Sequence, residues 1–290
     1  MEAWLIYAIG AAVFAALTTV LAKVGIKNVD SNLATAIRTV VVLVFAWLMV
    51  FIVGSQNEIF YTDSRTWIFL ILSGLATGGS WLCFFRALKL GNVNHVVPIK
   101  KSSTITTMIF AFIILSEPIN VITVVGMVLM AAGTWLMIEL KVNKKDSQQK
   151  NHSWLFFALL AAAFASLTAI LGAIGIANIE ANLGTAIRTM AVVPMSWLMV
   201  FITKEQKSIS KIDKKSWAFL LLSGVATGAS WLLFYRALQL GNASHVVPID
   251  KLSIVLTMGF AGFFLGEKFS KRSLIGLAIL TVGTLLPILF

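Results

Sequence analysis

Charge is scarce in this sequence. Charged residues fill 12% of its 290 positions, and only 12 side chains are acidic. Soluble domains are about a quarter charged, so an ordinary water-facing surface is excluded. Cysteine is nearly absent: Cys83 alone permits no internal disulfide and no thiolate metal cluster, and inside an apolar run it reads as a small core residue. The three histidines, His95, His152 and His245, are scattered, so no metal site and no cofactor are expected. There is no G-x-x-x-x-G-K phosphate loop and hence no ATPase engine in the chain. There is also no G-x-S-x-G elbow for a hydrolase. The enzyme readings close there.

What is abundant is apolar. Hydrophobic residues reach 59% and the mean hydropathy is +0.91, which marks an integral membrane protein whose first partner is the lipid bilayer. The net charge of +11 does not indicate nucleic acid, because the basic residues sit in short loops between apolar runs, where they act as topology signals. No cleavable signal peptide is expected, since no basic flank precedes the first run. Ten apolar runs have roughly the 20 residues needed to cross the hydrocarbon. They lie near 4–24, 33–54, 67–88, 95–115, 120–140, 153–173, 183–203, 217–238, 245–265 and 273–290. The expected fold is therefore all-α and polytopic. The one stretch of soluble composition, 141–152, separates a first unit at 1–140 from a second at 153–290.

The two units are copies. At a constant offset of 150 and without a gap, Trp4 pairs with Trp154, Arg38 with Arg188, Trp81 with Trp231, Arg86 with Arg236, Pro98 with Pro248 and Glu117 with Glu267. Nearly half of the aligned positions are identical, and only the fifth span has drifted badly. Five spans per copy is an odd number, so the second copy must cross the membrane in the opposite sense, as in the inverted-topology repeats of secondary transporters. Loop charges agree. Lys23 and Lys27 become Ala173 and Ala177, whereas the loop after the second span, which carries a single arginine, acquires Lys204, Lys207, Lys211, Lys214 and Lys215. Lys89 becomes Gln239, and Pro118, Val121 and Ile122 become Lys268, Lys271 and Arg272. The positive-inside rule then places the loops near 27, 90, 146, 210 and 270 in the cytoplasm, the basic 141–152 linker among them, and both termini outside a cytoplasmic membrane.

Two five-span repeats, the turns Ser116-Glu117-Pro118 and Gly266-Glu267-Lys268, and the fifth-span glycines Gly126, Gly133, Gly276 and Gly283 resemble the drug/metabolite transporter superfamily, in particular its EamA branch. The resemblance covers essentially the whole chain. It implies a ten-helix carrier of small metabolites that works by alternating access around a central cavity lined by the first, third and fourth helices of each repeat. The halves are more alike than the family's usually are, and the charges put the termini outside rather than inside. Both departures leave open a tandem fusion of two five-span proteins, natural or engineered.

Several residues are candidates for chemistry. Thr77, Ser80, Thr227 and Ser230 lie at near-helical spacing in the third spans, beside the small-residue pairs Gly74/Gly78 and Gly224/Gly228. That pattern reads either as a helix–helix seam or as a cavity wall offering hydroxyls. Trp81 and Trp231 either wall a cavity or fill a core. Pro98 and Pro248 suit the first turn of a helix, and Lys101 and Lys251 follow on about the same face. Between them the copies differ, Lys100 against Asp250. An acid within a span is a functional hypothesis by default. Asp250 is accordingly either a coupling or cargo-binding group or one side of a charge pair with Lys251, Arg236 or Arg188. Arg38 and Arg188 either snorkel to headgroups or bind an anionic group. Glu117 and Glu267 read as helix caps.

The preponderance of cationic groups tilts the cargo towards anionic or zwitterionic metabolites such as amino acids. The sequence thus supports a secondary transporter for a small polar molecule, driven by a proton or other ion gradient or by exchange. The alternatives are a non-transporting or engineered inverted-repeat scaffold and a passive channel. The unit is a monomer of two repeats, with homodimerisation left open.

Overall fold

A computed structural model describes residues 2–25, 29–90, 96, 99–137, 153–265 and 269–289. The first repeat contains α1 (Ala3–Gly25), α2 (Ser31–Val53), α3 (Ser64–Leu90), α4 (Ser103–Ile114) and α5 (Val121–Met137). The second contains α6 (Ser153–Ile176), α7 (Ala181–Thr203), α8 (Lys214–Leu240), α9 (Ala243–Asp250), α10 (Ser253–Leu265) and α11 (Lys271–Leu289). No strand occurs among the described residues. Seven of these helices are long and apolar enough to cross a bilayer: α1, α2, α3, α6, α7, α8 and α11. α5 is apolar but shorter, at 17 residues. Unbroken 23-residue helices such as α1 and α2 form because apolar residues run their whole length, which satisfies every backbone group internally where no water can.

Helix starts repeat with the sequence. Asp30 accepts hydrogen bonds from the N–H groups of Asn32 (2.7 Å) and Leu33 (3.3 Å) at the start of α2. Its counterpart Glu180 does the same for Asn182 (2.9 Å) and Leu183 (3.1 Å) at the start of α7. Either carboxylate satisfies the orphan donors of a first turn.

The inversion is visible in the packing. α1 lies against α8 and α3 against α6, so the first helix of each repeat packs on the third helix of the other. On the first seam, Ser230 Oγ donates to the Ala11 carbonyl at 2.9 Å and Ser223 Oγ to that of Thr18 at 3.0 Å. On its mate, Ser80 Oγ donates to Ala161 at 2.8 Å and Ser73 Oγ to Thr168 at 2.6 Å. In each pair the later residue of one helix meets the earlier residue of the other, so the helices run antiparallel. The turn after α2 likewise meets the start of α7, where the Glu180 N–H donates to Glu58 Oε2 at 3.1 Å. α5 and α11 cross through glycines: a Cβ on Gly126 would lie 2.8 Å from the Gly283 carbonyl oxygen, and one on Gly133 would lie 2.6 Å from that of Gly276. Only glycine allows backbones this close in lipid.

The fourth span of the second repeat departs from the single run read from its hydropathy. It breaks into α9 and α10 at Lys251–Leu252, and in the first repeat a turn at Ser102 precedes α4 at the equivalent place. The ladder tightens there to three-residue hydrogen bonds, from Lys251 N to Pro248 O at 2.9 Å and from Leu252 N to Ile249 O at 2.8 Å. Pro248 lies inside α9 rather than at its first turn, and it removes a donor just before the break. Its counterpart Pro98 lies outside the described residues, as do His95, His152, Glu267, Lys27 and the whole 141–152 linker.

Candidate functional site

The third spans, α3 and α8, carry two faces at once. Their hydroxyls are engaged in the seams: besides the serine bonds above, Thr77 Oγ1 lies 3.3 Å from Thr168 Oγ1, and Thr227 Oγ1 lies 3.3 Å from Thr18 Oγ1. The glycine faces turn elsewhere. A Cβ on Gly74 would fall 2.6 Å from the Arg188 carbonyl oxygen, and one on Gly224 would fall 2.6 Å from Val41 Cβ. Thr77, Ser80, Thr227 and Ser230 are all buried, and each finds a hydrogen-bond partner in the protein itself.

Two arginines enter this seam in unequal ways. Arg188 is 2% exposed. Its Nε donates to Ser73 Oγ at 2.9 Å and its Nη2 to Thr77 Oγ1 at 2.6 Å. Its guanidinium stacks on Trp231 and Tyr235, with centroids 5.0 and 4.9 Å away. A charge this deep in a membrane protein is stabilised by such contacts, because the low-dielectric alternative is an unpaired cation. Arg38, the counterpart, is half-buried and makes one such bond, from Nη2 to Thr227 Oγ1 at 3.0 Å. Neither arginine meets Asp250 through these contacts.

The breaks of the two fourth spans meet at a cavity of about 610 Å³. Lys100, Lys101, Asp250 and Lys251 line it, together with Phe84 and Trp135. α9 has eight residues, so at 1.5 Å per residue Asp250 lies about 12 Å along the helix from its start. Lys251 Nζ pairs with Asp250 Oδ2 at 3.3 Å, and both side chains remain partly exposed to the cavity. Lys100 Nζ sits 3.9 Å above the Phe84 ring. Phe84 and Lys100 also line a second cavity of about 180 Å³, shared with Trp81, Phe85, Asn32, Thr35, Ser196 and Met199. Lys100 and Phe84 therefore stand between the two spaces. Three ammonium groups and one carboxylate converge on the larger cavity, an arrangement that attracts an anion and supplies one group able to take a proton. No cluster of three metal-ligating side chains occurs among the described residues.

Two further contacts emerge only from the fold. Glu117 does not cap a helix of its own repeat. Its Oε1 and Oε2 accept from the N–H groups of Ala243 (2.7 Å) and Ser244 (2.9 Å), at the start of α9 in the other repeat. Gln239 Nε2 donates to the carbonyls of Ile176 (2.8 Å) and Ile179 (2.7 Å), tying the end of α8 to the turn after α6. The sequence did carry a signal for one of these positions, because Gln239 replaces Lys89 of the first copy.

A family model described as the EamA-like transporter family matches residues 2–139 and again residues 152–289. The chain belongs to the EamA-like transporter family. The resemblance drawn from the repeats and the turn motifs is thereby borne out, and this EamA-like protein is a multi-pass membrane transporter of the drug/metabolite type. An uncharacterized transporter in the cobO 3′ region of Sinorhizobium sp. is 45% identical over 140 residues, which is 48% of this chain and 99% of that relative. That relative is therefore about as long as one repeat. An uncharacterized transporter of Bacillus subtilis, YxxF, is 25% identical over 189 residues, covering 63% of this chain and 59% of its own. A solved structure, described only as the crystal structure of a protein, superposes with a TM-score of 0.79 at 17% identity over 97% of this chain and 96% of its own. Identity that low speaks for the fold alone.

Proposed function

We propose that this EamA-like transporter moves a small anionic or zwitterionic metabolite, amino-acid-like in its charges, across the cytoplasmic membrane by alternating access. The units at 1–140 and 153–290 would be the moving bodies and the loops near 27, 90, 146, 210 and 270 would face the cytoplasm. The observation that carries this reading is the cavity at the paired helix breaks, where Lys100, Lys101 and Lys251 outnumber Asp250. Broken helices at the interface of inverted repeats are where such carriers bind cargo, since freed backbone groups and buried charges can be satisfied by a ligand. Lys100 and Lys101 would bind the cargo's carboxylate, with Phe84 and Trp135 against its body. Asp250 would release Lys251 on protonation, which offers a route to proton coupling. A volume of about 610 Å³ also argues against a scaffold sealed by apolar packing at this place.

Uptake by reconstituted proteoliposomes tests the reading, with a panel of amino acids, organic anions and organic cations assayed with and without a proton gradient. Saturable uptake of an anion or zwitterion is expected, lost in Lys100→Gln/Lys101→Gln. Asp250→Asn should abolish the response to the gradient. Uptake restricted to organic cations would overturn the cargo assignment, non-saturable flux would indicate a channel, and an unaltered gradient response in Asp250→Asn would remove the coupling role.

A further inference from the structure

The small cavity beside Lys100 has a counterpart that is already filled. Trp81, Phe84 and Phe85 stand at i, i+3 and i+4 on α3, so their rings share one face of the helix. All three line the space of about 180 Å³. The second copy repeats the trio as Trp231, Phe234 and Tyr235 on α8. There a cation lies on the rings: the Arg188 guanidinium sits 5.0 Å from the Trp231 centroid and 4.9 Å from that of Tyr235. In the first copy Arg38 is engaged with Thr227, and the cation on the rings is the Lys100 ammonium, 3.9 Å above Phe84. The molecule thus sets a cation on this aromatic face twice, once through a buried arginine and once through a lysine at the border of the larger cavity. The polar groups around the small cavity are acceptors. Asn32 Oδ1 is buried without a hydrogen-bond partner, whereas its counterpart Asn182 is bonded to Glu180. Thr35 Oγ1 donates to the Ser31 carbonyl at 2.8 Å. Ser196 Oγ donates to that of Val193 at 2.8 Å and lies 2.9 Å from Thr39 Oγ1. Both hydroxyl oxygens keep a lone pair for a further donor. No carboxylate lines the space among the described residues.

We propose that Trp81, Phe84 and Phe85, together with Asn32, form a subsite for the ammonium group of a zwitterionic cargo whose carboxylate is held in the larger cavity. The proposal rests on the reading of that cavity as an anion site, and it narrows the cargo from anions in general to amino acids. An ammonium is a compact charge with three donors. The small cavity offers it aromatic faces, the Asn32 carbonyl oxygen and two hydroxyl oxygens. An organic anion without an amino group leaves the Asn32 oxygen unpaired, which costs free energy in a buried site. Lys100 couples the two spaces because it lines both. The cargo carboxylate draws the Lys100 ammonium on its flexible stem towards the larger cavity, and the cargo ammonium takes its place over the Phe84 ring. One cation replaces another on the rings, so the small cavity gains no net charge while Asn32 Oδ1 acquires a donor. In the second copy Arg188 holds the rings itself, so the subsite belongs to the first copy.

The test is calorimetric titration of the purified full chain with each of the common amino acids and with the matched acids in which hydrogen replaces the amino group. The best-bound amino acid should bind about tenfold more tightly than its deaminated acid, through a cation–π contact joined to a hydrogen bond from a charged donor. Trp81→Leu should bring the two affinities within about twofold of each other. Asn32→Leu should narrow the ratio by about threefold, and it keeps the test open where Trp81→Leu does not fold. The ratio is the readout because a general loss of folding lowers both affinities alike. A deaminated acid that binds as tightly as its amino acid overturns the subsite and leaves the anion cavity in place. A tenfold preference that survives both substitutions overturns the assignment to these residues. Binding of neither class overturns the anion reading, and the subsite with it.

Discussion

The same arginine in the same local sequence has two environments in this molecule. In the second repeat, Arg188 is sealed beneath Trp231 and Tyr235 and gives two hydrogen bonds to α3. In the first, Arg38 is half-buried and gives one to α8. Residues 35–39 and 185–189 are identical, so neither local propensity nor spacing explains the difference. What differs is the surroundings: Arg188 stacks on Tyr235, where the first repeat carries Phe85 at the equivalent position. Burial here is decided by the neighbours that the fold supplies to each arginine.

The largest effect that would break this comparison is on stability. Arg188→Ala removes a fully packed side chain with its hydrogen bonds and should cost about 3 kcal/mol. Arg38→Ala should cost about 1 kcal/mol, since less of it is buried. Equal losses in denaturant unfolding of the detergent-solubilised protein would show the two environments to be alike. Next comes the seam that the halves share. Gly133→Ala and Gly283→Ala each drive a Cβ into opposing backbone, 2.5 Å from Leu280 N and 2.8 Å from Gly126 O. Each should cost about 2 kcal/mol, and unequal losses would mean that this crossing is not symmetric.

A smaller effect is expected at Ser116, which holds φ at 55° where the second repeat carries glycine. Ser116→Gly should stabilise by up to about 1 kcal/mol, with thermal unfolding as the measurement. A loss instead would mean that the Ser116 side chain itself supports the Glu117 turn. The smallest effect is a control. Thr66 lowers the pKa of Asp63, through its hydroxyl and then its N–H, and Ser216 lowers that of Asp213, through its N–H and then its hydroxyl. A carboxyl depressed in the folded state contributes stability that is complete above its unfolded value of about 4 and is lost as pH falls through the folded value below it. Asp63→Ala and Asp213→Ala should therefore lower the melting temperature slightly and equally at pH 7, and the deficit should shrink below about pH 4. A deficit confined to one cap would show that the loops at the two faces are not equivalent.

Much of the architecture was legible without coordinates. A gapless offset of 150 with lysines that exchange sides permits only an inverted repeat, because odd span number and loop charge are both one-dimensional properties. The break in the fourth span was not legible: it falls at Lys251–Leu252, where no glycine or proline stands, three residues after the proline that weakens the ladder. Ser73, Thr77 and Ser80 could be placed together on one helix face, but whether that face met a cavity or a carbonyl row depended on which helix lay opposite. Glu117 was read as a cap from its turn, and a cap it is. That its helix belongs to the other repeat follows only from the antiparallel docking of the two halves.

The sequence by itself determined the class, the duplication, the opposed orientation of the halves and the family, because hydropathy, charge and repetition act along the chain. Tertiary structure decided which of two identical arginines is sealed, where Lys100, Lys101, Asp250 and Lys251 converge, and which helix Glu117 caps. Those outcomes depend on how two nearly equal bodies lean on each other. The copies differ at just over half of their aligned positions, so contacts between residues far apart in the chain tip the balance.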